Sequence, residues 1–302
     1  HPALPVGFAD IFHIDKNRGD DQMPLKLMYI TNSEDVAHIA EEAGVDRIFV
    51  DMEYIGKTDR QGGMDTVQSR HTADDVRRLA QCLNKSELFV RVNPIHEKTD
   101  KYSSSKEEID EVIEAGADLL MLPYFKTAEE VQTFVKYVDG RAKTVLLVET
   151  PEAAAIAENL VKIPGIDEMF IGLNDLSLGY GKNFMFELLL DGTVEELCLK
   201  FRKGGIPYGF GGIASLGKGM LPSEYVIKEH YRLGSTCAIL SRSFCRTDQV
   251  TDLKEIQKIF ETELPKIREL EEECRVYSEY FWKNRQQVET KIRQICECED
   301  AK

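Results

Sequence analysis

The sequence predicts an α/β chain folded as a (β/α)8 TIM barrel with an extended C-terminal helical tail. Three observations carry this. Short apolar runs rich in β-branched residues alternate with amphipathic segments, eight times between residues 23 and 250. The runs are nearly continuous in apolar character, as strands are when both faces of a parallel sheet are covered. The 302 residues then leave a C-terminal excess of different, helical period. A doubly wound sheet shares the alternation; the number of units favours the barrel.

Residues 25–30 read as the first strand. Ser33 then caps a helix that stops at Ala43-Gly44. The second strand is DRIFVDM (46–52), and Thr72-Ala-Asp-Asp opens the next helix, reaching 84. Strand three is ELFVRV (87–92) with a helix over 105–115, and strand four is DLLMLP (118–123) with a helix over 127–138. Strand five, TVLLV (144–148), precedes a helix over 152–161; strand six is EMFIG (168–172). A helix over 193–203, a glycine-rich strand over 208–213, a helix over 223–232 and CAILS (237–241) complete the set. Two connections, 53–71 and 176–192, are too long for turns, and both follow strands on the face where barrels carry active sites.

The expected domains are three: 1–22 as an N-terminal arm or cloning remnant, 23–250 as the catalytic barrel, and 251–302 as a helical tail. In the tail, Ile256, Ile259, Phe260, Leu264, Ile267, Leu270, Cys274, Tyr277, Phe281, Val288, Ile292 and Ile295 form a stripe mostly at three- and four-residue steps. Pro265 either starts a second helix or kinks one. The stripe exceeds what closing a barrel needs, so a homo-oligomer assembled through this tail is expected.

Lys and Arg number 38 against 53 Asp and Glu, a net charge of −15, which argues against nucleic-acid binding. No apolar run is long enough to span a membrane, and no basic flank with an apolar core marks a signal peptide. The 7 cysteines are odd in number and form no CxxC pair. A disulfide framework is therefore not expected, and the cytoplasm is the expected compartment. Cys296 and Cys298 read as part of a solvated tail.

Polar residues at strand ends are the first catalytic candidates in a barrel. They are Asp51 and Glu53, Arg91 and Asn93, Tyr124, Glu149, Asn174 with Asp175, and Arg242. Glu149 and Asp175 follow neighbouring strands. Two carboxylates suit Mg2+ or Mn2+, hard cations that retain waters a substrate can replace; salt bridges beneath loops are the other reading. Arg91 offers a planar fork for a carboxylate or an oxyanion.

The segments FVRVNP, GADLLMLPYFKTAEEV, LLVETPEA and GIDEMFIGLNDLS, in this order and spacing, resemble the HpcH/HpaI aldolase and citrate lyase β-subunit superfamily. The likeness is strongest over 87–181 and weaker over 23–246. It implies a barrel that binds a divalent metal, Mg2+ or Mn2+, on Glu149 and Asp175. It also implies a 2-oxo acid such as pyruvate on Arg91 and the backbone of Gly172, Leu173 and Asn174. The implied reaction is metal-dependent carbon–carbon lysis or aldol addition through an enolate, with an aldehyde as co-substrate. The aldolase branch has a His after strand two, where this chain has Tyr54; the acidic partner of that His falls on Glu114, which reads more simply as an ordinary helix-end residue. Proton transfer then needs another group, His71 first, with Tyr54 or a metal-bound water as alternatives and Glu53 a further catalytic candidate. In the citrate lyase branch a basic pair in this region binds acyl-CoA, and Lys57 and Arg60 echo it. An acyl-CoA lyase of the citrate or malyl type and a non-catalytic barrel subunit are the alternatives.

Overall fold

The structure is a computed structural model and describes residues 23–57 and 69–300, the last two by backbone alone. The expected arm (1–22) and Arg60 lie outside the described residues. Eight parallel strands close in chain order: β1 (Lys26–Ile30), β2 (Arg47–Asp51), β3 (Glu87–Arg91), β4 (Leu119–Leu122), β5 (Lys143–Val148), β6 (Glu168–Ile171), β7 (Tyr208–Ile213) and β8 (Cys237–Leu240). Strand β8 pairs back onto β1, so the sheet has no edge. The barrel is the fold the alternation predicts.

Between the strands run α1 (Glu34–Glu42), α2 (Ala73–Cys82), α3 (Ser105–Glu114), α4 (Ala128–Val138), α5 (Pro151–Ala155), α6 (Ala157–Leu160), α7 (Leu173–Gly179), α8 (Glu187–Leu190), α9 (Thr193–Lys203) and α10 (Ser223–Leu233). Thr72, Ser104 and Thr127 close capping boxes with Asp75, Glu107 and Glu130, satisfying first-turn amides. The single helix expected over 152–161 is two short ones, because Ile156 leaves helical geometry at φ −99°, ψ 10°. The connection after β6 holds α7 and α8, whose Leu173, Leu176, Leu188 and Leu189 are buried.

Strand parity divides the core. Leu27, Ile48, Val50, Leu88 and Val90 face the helices, whereas Met28, Phe49, Phe89, Met121, Leu147 and Phe170 fill the barrel. At the N-terminal end of the same inward rows, Arg47 reaches Glu168 by two bonds of 2.8 and 3.0 Å and Glu87 by one of 3.0 Å. At the other end the inward rows finish on Asp51 and Arg91. Gly209 is required where β7 meets β8: a Cβ there would stand 2.3 Å from the carbonyl oxygen of Cys237.

The tail forms α11 (Leu253–Val276) and α12 (Phe281–Asp300). Helix α11 continues through Pro265, and the second helix begins only after 277–280. Phe260, Leu264 and Ile267 are buried on either side of the proline, and α11 packs on α1 and α10. Helix α12 folds back on α10 and α8 with Val288 and Ile292 fully buried. The stripe thus finds its apolar surface within the chain and does not by itself require a second subunit. Ile292→Ala is expected to cost about 2–5 kcal/mol in urea unfolding. A loss under about 1 kcal/mol would mean that α12 does not dock there in solution. Among the described residues, no helix is long and apolar enough to cross a membrane.

Candidate active site

Register brings the end of β2 beside the end of β3, with Asp51 opposite Arg91. The pair is bidentate: Arg91 Nε donates to Asp51 Oδ1 at 2.8 Å and a terminal nitrogen to Oδ2 at 2.7 Å. Lys57 Nζ donates to the same Oδ2 at 2.7 Å, and Glu53 lies 3.7 Å from Lys57 and 3.5 Å from Arg91. Asp51, Glu53 and Lys57 are all buried. Burial alone pushes the Asp51 pKa up, but Arg91 and Lys57 override it and hold the carboxyl well below its usual range. Burial likewise disfavours the charged Arg91, and Asp51, Glu53 and Glu149 reverse that and keep it cationic. Strand-end position marks Asp51 but does not assign it a partner. The signal lies in parity, since 47, 49 and 51 share one face of β2.

Glu149 follows β5, and Gly172 follows β6 one step beyond the paired Val148 and Ile171. A Cβ at Gly172 would stand 2.8 Å from both Cβ and Oε2 of Glu149, so glycine leaves room for that carboxylate. The Tyr124 amide donates to Glu149 Oε1 at 2.9 Å, from a backbone turned to φ 47°. Asp175 lies in the first turn of α7, and with Glu149, Tyr124 and Leu178 it lines one cleft of about 230 Å3. Both carboxylates are buried, and their hard oxygens fit Mg2+ or Mn2+. Within the expected backbone segment Gly172-Leu173-Asn174, Gly172 is engaged in the sheet. Its N–H already donates to the Val148 carbonyl at 3.0 Å, which leaves the first-turn amides of Leu173 and Asn174.

His71 is buried, and its Nδ1 accepts the Asp51 main-chain N–H at 3.0 Å, a donor that β1 is too short to pair. Burial lowers its pKa, against opposing pulls from Asp51 and Asp75. A neutral ring with Nδ1 so engaged carries its proton on Nε2, so His71 is a hydrogen-bond donor in this arrangement, not a ready base. It lines a cleft of about 530 Å3 with Met52, Tyr54, Arg70 and Glu111.

Tyr54 is half-exposed and lies against Tyr102, ring centroids 5.7 Å apart. Its pKa is raised, first by burial and then by Glu108. Asn93 Oδ1 accepts the amides of Tyr54 and Ile55, both at 2.9 Å, and its Nδ2 donates to Glu108 Oε1 at 2.9 Å. Glu114, by contrast, is exposed at the end of α3. The acid that supports the start of the strand-two loop is therefore Glu108, raised in pKa by burial. Glu108 lies six residues before Glu114, which is the ordinary helix-end residue its position suggests, and nothing local in the sequence marks Glu108.

Fold and site together define a (β/α)8 barrel with a buried arginine–carboxylate cluster and a separate carboxylate pair at the C-terminal mouth. The chain belongs to the HpcH/HpaI aldolase/citrate lyase family, whose model matches residues 26–188. A family protein from Burkholderia cenocepacia J2315 is similar in structure, with TM-score 0.58 and 16% identity, covering 79% of this chain and 96% of that one. An HpcH/HpaI aldolase from Desulfitobacterium hafniense DCB-2 gives 0.56 and 15%, covering 78% and 93%. The citrate synthase SbnG gives 0.54 and 14%, covering 78% and 94%. No curated protein sequence matches the chain significantly.

Proposed function

We propose that this protein is a carbon–carbon lyase or aldolase of the divalent-metal-dependent class, acting on a pyruvate-type 2-oxo acid through its enolate. The observation that carries this is the buried pair Glu149 and Asp175 lining one cleft at the strand ends, with Glu149 among the carboxylates that keep Arg91 cationic. Glu149 and Asp175 would hold Mg2+ or Mn2+, which when bound supplies Lewis-acid polarisation of the carbonyl. Arg91 is held by Asp51 through Nε and one terminal nitrogen, and its other terminal nitrogen, 3.5 Å from Glu53, is the one that would meet an anionic substrate and charge developing during the reaction. The amides of Leu173 and Asn174, in the first turn of α7, would receive the substrate carboxylate. His71 contributes a donor, and Tyr54, kept protonated, a second one. The co-substrate is an aldehyde. An acyl-CoA co-substrate is less well served, because Lys57 is spent on Asp51.

Proton NMR of pyruvate in D2O tests the reading. Methyl exchange should require Mg2+ or Mn2+ and should vanish in Glu149→Ala. Exchange that survives this substitution would refute the role given to Glu149. No exchange by the wild type, with cleavage of CoA thioesters instead, would favour the citrate or malyl type.

A further inference from the structure

Helix α1 places His38, Glu41 and Glu42 at i, i+3 and i+4, on one face and remote from the mouth. One ligand atom from each lies within 4.8 Å of the other two. Glu41 makes this more than a surface cluster. It is 2% exposed, and its Oε1 accepts three main-chain amides, those of Asn84, Lys85 and Ser86. Its Oε2 is buried and has no hydrogen-bond partner. A buried carboxylate oxygen left so is costly unless a cation or donor meets it. Burial would raise the Glu41 pKa, but the three amides and His38 override it and lower the value, so the oxygen carries charge.

We propose that His38, Glu41 and Glu42 form a second cation site, selective for Zn2+-like ions over Mg2+. One imidazole nitrogen with two carboxylate oxygens is a donor set that Zn2+, Co2+ and Ni2+ accept, whereas Mg2+ prefers oxygen alone. Lys85 Nζ now holds Glu42 at 2.8 Å, but both side chains are half-exposed or more, so this pair yields to a divalent ion at little cost. The site's place is structural. Glu41 already ties α1 to the turn that feeds β3, and an ion on Oε2 would tie His38 and Glu42 to the same point.

Metal stoichiometry by equilibrium dialysis against Zn2+, with Co2+ absorption as a second readout, tests the proposal. In Glu149→Ala/Asp175→Ala, one equivalent of Zn2+ should remain, and adding His38→Ala should remove it. Wild type and His38→Ala should differ by that same equivalent, which keeps the test valid if the double variant fails to fold. Zn2+ should also raise the melting temperature of the first protein of each pair more than that of the second. The site is refuted if His38→Ala binds as much Zn2+ as its parent. It is equally refuted if Mg2+ in modest excess displaces the His38-dependent equivalent. Neither result depends on whether the mouth is catalytic.

Discussion

Arg91→Met is expected to lose about 10²–10³-fold in turnover, the loss seen when one preorganised oxyanion donor is removed. The same change should cost about 3–5 kcal/mol of stability at neutral pH, because it strips a partner from a buried charge cluster. Asp51 would keep Lys57 and the Glu53 main-chain amide but lose its bidentate cation. The pH dependence separates this from a general packing defect. The folded-state pKa of Asp51 is depressed, so its contribution is fully present above the unfolded value, about 4. It is lost as pH falls through the folded value. In Arg91→Met the depression shrinks. The stability gap between wild type and variant should therefore narrow from pH 7 toward pH 3 in urea titrations. A gap independent of pH would sink the assignment. Arg91→Lys keeps the charge but loses the bidentate fork, so it should recover more stability than turnover.

Arg47→Met should be among the most destabilising substitutions that leave the mouth untouched, again about 3–5 kcal/mol. Arg47 is 1% exposed and Glu168 7%, and their two bonds cross the barrel floor from β2 to β6. Without the guanidinium, Glu168 is left with the Cys237 thiol, 3.3 Å away, and no charge opposite. The cost belongs to the stranded carboxylate rather than to the pair, so Arg47→Met/Glu168→Leu should restore much of it. Chemical denaturation of the single and double variants decides this. A double variant no more stable than Arg47→Met would show that the loss comes from packing along the arginine stem.

Arg91 was visible in the sequence as a polar strand-end residue, whereas Arg47 was unmarked within the run of strand two. Arg47 opens β2 and Arg91 ends β3, so barrel geometry alone sends one to the stable floor and the other to the reactive mouth. The strand-end positions of Glu149 and Asp175 were legible for a similar reason, since each just follows a strand within a contiguous motif. Local period did not reveal Asn93 as the clamp on the Tyr54 turn, nor Glu108 as its support. Those contacts join residues 39 and 15 positions apart through loop paths that no short window contains. His71 was found as a candidate, but the tertiary hydrogen bond to Asp51 turns it from a base into a donor.

By itself the sequence determined the eight strand–helix units and which polar residues stand at the strand ends. These depend on neighbours two to four residues apart, and such short-range periods survive in any window of the chain. Only the tertiary structure decided how the charges were spent. It set Asp51 against Arg91 across 40 residues, drew Lys57 into that pair, and joined Leu25 to Glu271 across 246. It also gave the tail's apolar stripe a surface on its own barrel. The physical reason is common to all of these. Burial makes an unpaired charge or an uncovered apolar face costly, and the partner that relieves the cost is whichever one closure of the barrel brings near.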